Sequence, residues 1–203
     1  MTGYSTKSSN SRASNKVRII GGDWRSRVLS FADIPDIRPT PDRVRETLFN
    51  WLQFDLYGAH CLDLFAGSGV LGLEALSRGA AKVLAVENNA HAVQAIRSNA
   101  ELLGTHKLEL IQGSAIDLLQ HGNATACDIV FLDPPFAAEL HSSCCRLLAE
   151  RGWLKDQALI YLEAPTPFAS LGLPHDWQVL KEKRAGDVYY GLCRSGSAPS
   201  GQQ

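Results

Sequence analysis

The stretch "DLFAGSGVLGLEAL", residues 63–76, decides how this chain is read. An apolar run stops at a glycine-rich turn and resumes as a helical pattern, which is the strand–turn–helix unit of an α/β fold. Gly67 and Gly69 let the backbone turn sharply and approach a ligand, and the start of the following helix offers unpaired N–H groups. Gly67, Gly69 and Gly72 also satisfy the spacing G-x-G-x-x-G, so spacing alone does not exclude a dinucleotide. Asp63 argues for a different ligand: four positions before the first glycine, its carboxylate would repel a pyrophosphate and attract a sulfonium or ammonium cation. Glycines that serve only a tight turn are the bland alternative.

Outward from this unit, short apolar runs alternate with helical stretches. The runs are "CLDLFA", "KVLAVE", "LELIQG", "DIVFLD" and "ALIYLEA", and the helical patterns between them include "LGLEALSRG", "NAHAVQAIRSNAELLG" and "AELHSSCCRLLAERG". Strands without polar alternation, separated by helices, predict a parallel sheet covered on both faces. "WQVLKEKRAGDVYYGLCR" reads as two strands joined at Ala185–Gly186–Asp187, adding an antiparallel edge. Upstream, "VRIIGGDWRSRVLSF" reads as a β-hairpin turning around Gly21–Gly22–Asp23. "RPTPDRVRETLFNWLQF" reads as a helix with Thr40 as N-cap, Pro41 at the first helical position, and Val44, Leu48, Trp51 and Leu52 on one face.

A length of 203 residues suits one domain with short appendages. The expected organisation is a disordered tail over 1–16, a basic hairpin and helix over 17–55, a catalytic domain over 56–194 and a second tail over 195–203. A net charge of -1 conceals an asymmetry. Nine Lys/Arg against four acids in the first 45 residues give +5, and the remainder carries -6. A basic end on a mildly acidic body suggests a polyanionic partner met by one face, against the plain alternative of a solubilising arm. The five cysteines show no metal-site spacing and read as reduced core residues, with no metal expected. No apolar run is long enough to span a bilayer and no secretory pattern opens the sequence, so the expectation is a cytoplasmic protein without a membrane partner.

Two further strand ends carry chemistry. Glu87 closes "VLAVE" 24 residues after Asp63, where an acid can accept hydrogen bonds from both hydroxyls of a ribose; its alternative is an acid favoured by a helix N-terminus. "DIVFLDPPF" ends its strand on Asp133, Pro134, Pro135 and Phe136. A nucleobase amine is a poor nucleophile because its lone pair is delocalised into the ring. The Asp133 carboxylate and the Pro134 carbonyl can hold its two N–H groups so that the lone pair points at an electrophile. The prolines stiffen that geometry, and Phe136 offers a face on which a flat base stacks, worth about 1–3 kcal/mol.

With these motifs in order, "RPTPDRVRETLFNWL", "DLFAGSGVLGLEALSRGA", "VEN" and "DPPF", the sequence from about Arg18 to Cys193 resembles the RsmD family of S-adenosylmethionine-dependent methyltransferases, which methylate N2 of a guanine in 16S ribosomal RNA. D-P-P-F by itself is shared with adenine N6 methyltransferases, so the substrate rests on the "RPT…RVRETLFNWL" segment. The resemblance implies a Rossmann-like class I methyltransferase fold, a seven-stranded mostly parallel sheet with one antiparallel strand. It implies that Asp63, Phe65, Ala66, Gly67, Ser68 and Gly69 cradle the methionine part of the cofactor, that Glu87 and Asn88 hold its ribose, and that Asp133–Phe136 form the target-amine site. Related enzymes often carry Asp or Asn after the third strand; here Ser114 stands there, so the adenine would rely on backbone groups of Ser114 and Ala115. Arg25, Arg27, Arg38 and Arg43 are the expected RNA contacts, the partner being 16S rRNA within the 30S subunit, met by a monomer. An adenine N6 methyltransferase and a non-catalytic assembly factor are the alternatives.

Overall fold

The computed structural model describes residues 15–34, 39–135 and 140–196. Two antiparallel strands, β1 (Lys16–Arg18) and β2 (Val28–Ser30), precede helix α1 (Asp42–Trp51). Strand and helix then alternate: β3 (His60–Asp63), α2 (Val70–Ser77), β4 (Lys82–Glu87), α3 (Ala90–Leu103), β5 (Leu108–Gln112), α4 (Ala115–His121), β6 (Cys127–Leu132), α5 (His141–Glu150) and β7 (Leu154–Ala164). A hairpin of β8 (Gln178–Ala185) and β9 (Val188–Arg194) closes the chain. The seven-stranded sheet has the order β5-β4-β3-β6-β7-β9-β8, and β9 alone runs antiparallel to its neighbours. This is the Rossmann-like methyltransferase sheet expected from the sequence.

Period-two alternation builds the two cores. On β6, Ile129 and Phe131 face one way and Val130 and Leu132 the other, and on β7 Leu159 and Tyr161 oppose Ile160 and Leu162. The first set packs with α1, α2 and α3; the second packs with α4, α5 and Trp153. Chain order reverses between β3 and β6, so a crevice opens at the carboxyl ends of these central strands, where ligands bind in open α/β sheets.

Residues 19–27 connect the first two strands by a longer route than the tight turn expected at Gly21–Gly22–Asp23. Those three residues are instead docked on the carboxyl end of α2. The N–H groups of Ile20 and Gly21 donate to the two Glu74 carboxylate oxygens at 2.8 Å each, and Asp23 N–H donates to the Ser77 carbonyl at 2.7 Å. A Cβ on Gly22 would lie 1.8 Å from the Ser77 carbonyl oxygen, so the glycine is needed for close approach. Arg45, fully buried, completes this joint: its guanidinium meets Glu74 at 3.3 Å, Asp42 at 2.6 Å and the carbonyls of Arg18 and Thr40. Val17, Ile19, Leu29, Leu48, Phe49 and Leu52 consequently share one core with the sheet.

Thr40 is not the N-cap of α1. That place falls to Pro41, and the Thr40 hydroxyl donates instead to Glu163 on β7 at 3.0 Å. All five cysteines are buried and unbridged, as the sequence implies.

Candidate active site

Four carboxylates gather at the carboxyl edge of four adjacent strands: Glu87 on β4, Asp63 on β3, Asp133 just beyond β6 and Glu163 on β7. Each is placed by the turn that its own strand makes. After β3, Gly67 (φ 52°) and Gly69 (φ 74°) adopt the left-handed conformation that glycine reaches at little cost. Gly69 N–H donates to the Ala66 carbonyl at 2.6 Å, and Ala66 N–H donates to Val86 on β4 at 2.9 Å. Gly69 is itself the N-cap of α2 and brings no side chain to the helix start, where Ser68 Oγ and Asp63 instead accept from the N–H groups of Val70 and Gly72. At Gly72 a Cβ would lie 3.0 Å from Val83 and 3.3 Å from the Asp63 carboxylate, which explains the third glycine as a packing requirement.

Glu87, 8% exposed, holds this loop in place. Its Oε2 accepts from Gly67 N–H and its Oε1 from Asn89 N–H, both at 2.8 Å. Each oxygen retains a lone pair for a further donor. Asn89, a residue the sequence reading passed over, caps α3 by accepting from the N–H groups of His91 and Ala92. Asn88 beside it is exposed.

Asp63 lies under the loop, 2% exposed, and accepts from Gly72 N–H at 3.2 Å. Burial pushes its carboxyl up to about 7; the Gly72 hydrogen bond opposes that rise and the Glu87 charge adds to it. Phe65 is half-buried, Ala66 and Ser68 are buried, and Ser68 Oγ sits 3.4 Å from Val70 N–H. Ser114 caps α4 through Asp117 N–H at 3.3 Å, with Ala115 buried behind it. Gly113 N–H donates to the Glu87 carbonyl at 3.0 Å, bringing this turn to the end of β4.

On the other side of the crevice, Asp133 is partly exposed, Pro134 buried and Pro135 exposed. Phe136 lies outside the described residues. Burial holds the Asp133 carboxyl well above the usual carboxylate range, and the charges of Glu163 and then Asp63 push the same way. Glu163 was missed in the sequence, although the available signal was the one that singled out Glu87 and Asp133, an acid at the carboxyl end of a strand, here in "ALIYLEA".

Of the expected RNA contacts, Arg25, Arg27 and Arg43 are exposed, while Arg38 lies outside the described residues. Arg45, counted in the basic balance, is buried in the joint with Glu74 and adds nothing to a basic surface. A polar groove of about 480 Å³ runs between β1 and the start of α1, lined by Lys16, Arg18, Pro39, Thr40 and Asp42. Thr40, one of its lining residues, is the one hydrogen-bonded to Glu163. Among the described residues no His/Cys/Asp/Glu group is arranged to hold a metal ion, and no helix is long and apolar enough to cross a membrane.

Residues 17–194 match the protein family described as "Conserved hypothetical protein 95". The chain is also 44% identical over 186 residues to the ribosomal RNA small subunit methyltransferase D of Escherichia coli K12, covering 92% of this chain and 93% of that protein. The chain belongs to the RsmD family. A second family member, the protein of the same description from Haemophilus influenzae, is 44% identical over 186 residues and aligns with 90% of this chain and 96% of its own length. The solved structure of the Escherichia coli protein yhhF superposes with a TM-score of 0.82 at 43% identity, covering 90% of this chain and 99% of that one. These RsmD relatives span the hairpin, α1 and the sheet together, the same extent over which the N-terminal elements share a core here.

Proposed function

We propose that this chain transfers a methyl group from S-adenosylmethionine to the exocyclic N2 amine of a guanine in 16S rRNA, acting as a cytoplasmic monomer on the 30S subunit without a metal. The observation that carries the reading is Asp133–Pro134 at the end of β6, across the strand-order reversal from the Gly67–Gly69 turn. The names of the relatives, small subunit rRNA methyltransferases, support the RNA class.

The residues at the β3 and β4 ends fit the cofactor. The positive end of α2 suits a carboxylate, Glu87 keeps free lone pairs for ribose hydroxyls, and an acidic crevice suits a cation. When bound, S-adenosylmethionine supplies an electrophilic methyl on a sulfonium sulfur. Asp63, Asp133 and Glu163 crowd that region; burial raises all three carboxyls, and a sulfonium or the positive charge that develops on the amine nitrogen favours their ionised forms. Asp133 and the Pro134 carbonyl hold the two amine hydrogens and so orient the lone pair, a contribution of positioning. Arg25, Arg27 and Arg43 bind phosphates and the groove beside Thr40 guides the strand, while the base itself must leave its stack or already be unstacked.

The test is transfer of labelled methyl groups to 30S subunits that lack the mark, with digestion to nucleosides and mass spectrometry. N2-methylguanosine is the expected product, with little transfer to duplex DNA. Asp133→Ala should keep cofactor affinity and lose on the order of 100-fold in transfer. N6-methyladenosine would refute the base assignment, and cofactor binding without transfer to any nucleic acid would favour an assembly factor.

A further inference from the structure

Holding an exocyclic amine does not by itself select guanine. The two acceptors at Asp133 and Pro134 are satisfied equally by the N2 amine of guanine, the N6 amine of adenine and the N4 amine of cytosine. The bases differ at the ring nitrogen next to the amine: guanine N1 carries a hydrogen, whereas adenine N1 and cytosine N3 present a lone pair. A further acceptor at that point would accept guanine and repel the other two.

Such an acceptor stands on β7. The pairing of Leu132 with Leu162 brings Asp133 and Glu163 off the sheet edge as neighbours, and the charge of Glu163 is felt at Asp133. Glu163 is 7% exposed and is fixed from three elements. Its Oε1 accepts from the Tyr161 hydroxyl at 2.9 Å and from the Thr40 hydroxyl at 3.0 Å, and its own carbonyl lies 2.7 Å from His141 Nε2 at the start of α5. Its second oxygen, Oε2, has no hydrogen-bond partner among the described residues. Two hydroxyls on one oxygen favour the ionised form against the burial that pushes this carboxyl up.

A mere tie between Thr40 and the sheet would not need this arrangement. A neutral amide would accept the same two hydroxyls without burying a charge beside Asp133, which is the costly choice. A carboxylate with one oxygen saturated and the other open is suited to receiving a donor from a ligand.

We propose that Glu163 is the base-discriminating residue of this site, its Oε2 accepting N1–H of the guanine whose N2 amine is held by Asp133 and Pro134. The inference rests on the guanine reading above and extends it. Thr40 and Tyr161 are positioning residues that turn the carboxylate. The segment "RPTP" thereby contributes to substrate choice without touching the base.

Two arms test it. A 16S RNA carrying 2-aminopurine at the target position keeps the N2 amine but presents a lone pair at N1. The native protein should methylate reconstituted subunits containing guanine at least about 100-fold faster than those containing 2-aminopurine, the discrimination expected when one buried polar group is left without its donor. Glu163→Gln retains an oxygen for the two hydroxyls and turns an N–H toward the base. It should lose about 100-fold or more on guanine in kcat/KM, narrow the guanine to 2-aminopurine ratio to within about tenfold, and bind S-adenosylmethionine as before. A native protein that treats the two bases alike overturns the proposal, whether or not the variant folds. So does a variant whose guanine rate stays within about threefold of native. If the native protein yields N2-methylguanosine, such a result removes only the role of Glu163; if it methylates no guanine, both readings fall.

Discussion

Replacing Glu74 with alanine tests the joint between the hairpin and the sheet. Glu74 is fully buried, and its carboxylate receives four donors: Ile20 N–H and Gly21 N–H at 2.8 Å, Arg78 Nε at 2.8 Å and Arg45 Nη1 at 3.3 Å. Arg78 is 22% exposed on its side chain and turns to water at small cost. Arg45 is wholly enclosed and keeps only Asp42 and two carbonyls. Breaking a buried ion pair from one side costs about 3–5 kcal/mol, and each stranded N–H about 1–3 kcal/mol. These costs overlap because the same void is refilled by the same relaxation, so the expected loss is about 4 kcal/mol. For a domain of this size that is a fall in Tm of roughly 8–16 °C. Glutamine, with a single acceptor oxygen, should fall between. Urea unfolding followed by tryptophan fluorescence measures the loss, and hydrogen exchange should place it at the amides of Ile20 and Gly21. A loss under about 1 kcal/mol, or protected hairpin amides in the variant, would refute the reasoning.

Glu87→Gln should weaken S-adenosylmethionine binding by about 1–3 kcal/mol in calorimetry, since it disturbs both the acceptor and the Gly67 anchor; unchanged affinity would remove Glu87 from the site. Neutralising Arg25, Arg27 and Arg43 together should flatten the salt dependence of subunit binding and leave cofactor affinity intact, and an unaltered slope would put the RNA contact elsewhere. Asp63 titrates near 3.8 in an unfolded chain and at about 7 when folded, so the folded state holds the extra proton between these values. Its stability contribution is therefore present at low pH and lost as pH rises toward about 7, with a slope of up to ~1.4 kcal/mol per pH unit. Denaturation from pH 5 to 8 should show this slope in the native protein and a flatter one in Asp63→Asn; parallel curves would disprove the assignment.

The parts of the molecule that follow from period and punctuation were legible. Apolar runs closed by glycine, proline or asparagine located the central strands, and the turn at Gly186–Asp187 announced the one strand that reverses. The parts that depend on distant partners were not. Arg45 and Arg43 look alike in sequence, and only the position of Glu74 on the next helix decides that one is enclosed and the other exposed. Thr40 precedes a helix as an N-cap would, yet its hydroxyl finds a better acceptor on β7. Gly21–Gly22 carries a turn signal, but Gly22 answers to the Ser77 carbonyl and Gly21 to the Arg78 guanidinium. In the site, Glu87 and Asp133 stood out because motifs flank them, while Glu163 closes an apolar run with nothing distinctive on either side.

The hydrogen bond between Thr40 and Glu163 joins residues 123 apart, whereas Arg45 and Glu74 are separated by 29. On a translating ribosome making roughly 5–20 residues per second, the second pair can meet within about 1.5–6 s and the first only after about 6–25 s. The residues that anchor the hairpin on α2 are thus made early, before β4 and the later strands. The base-facing end of the site stays unassembled until β7 has emerged. Under the proposed reading, a half-made chain holds the anchor of its hairpin before it owns a complete target-amine site, which waits until the sheet is nearly whole.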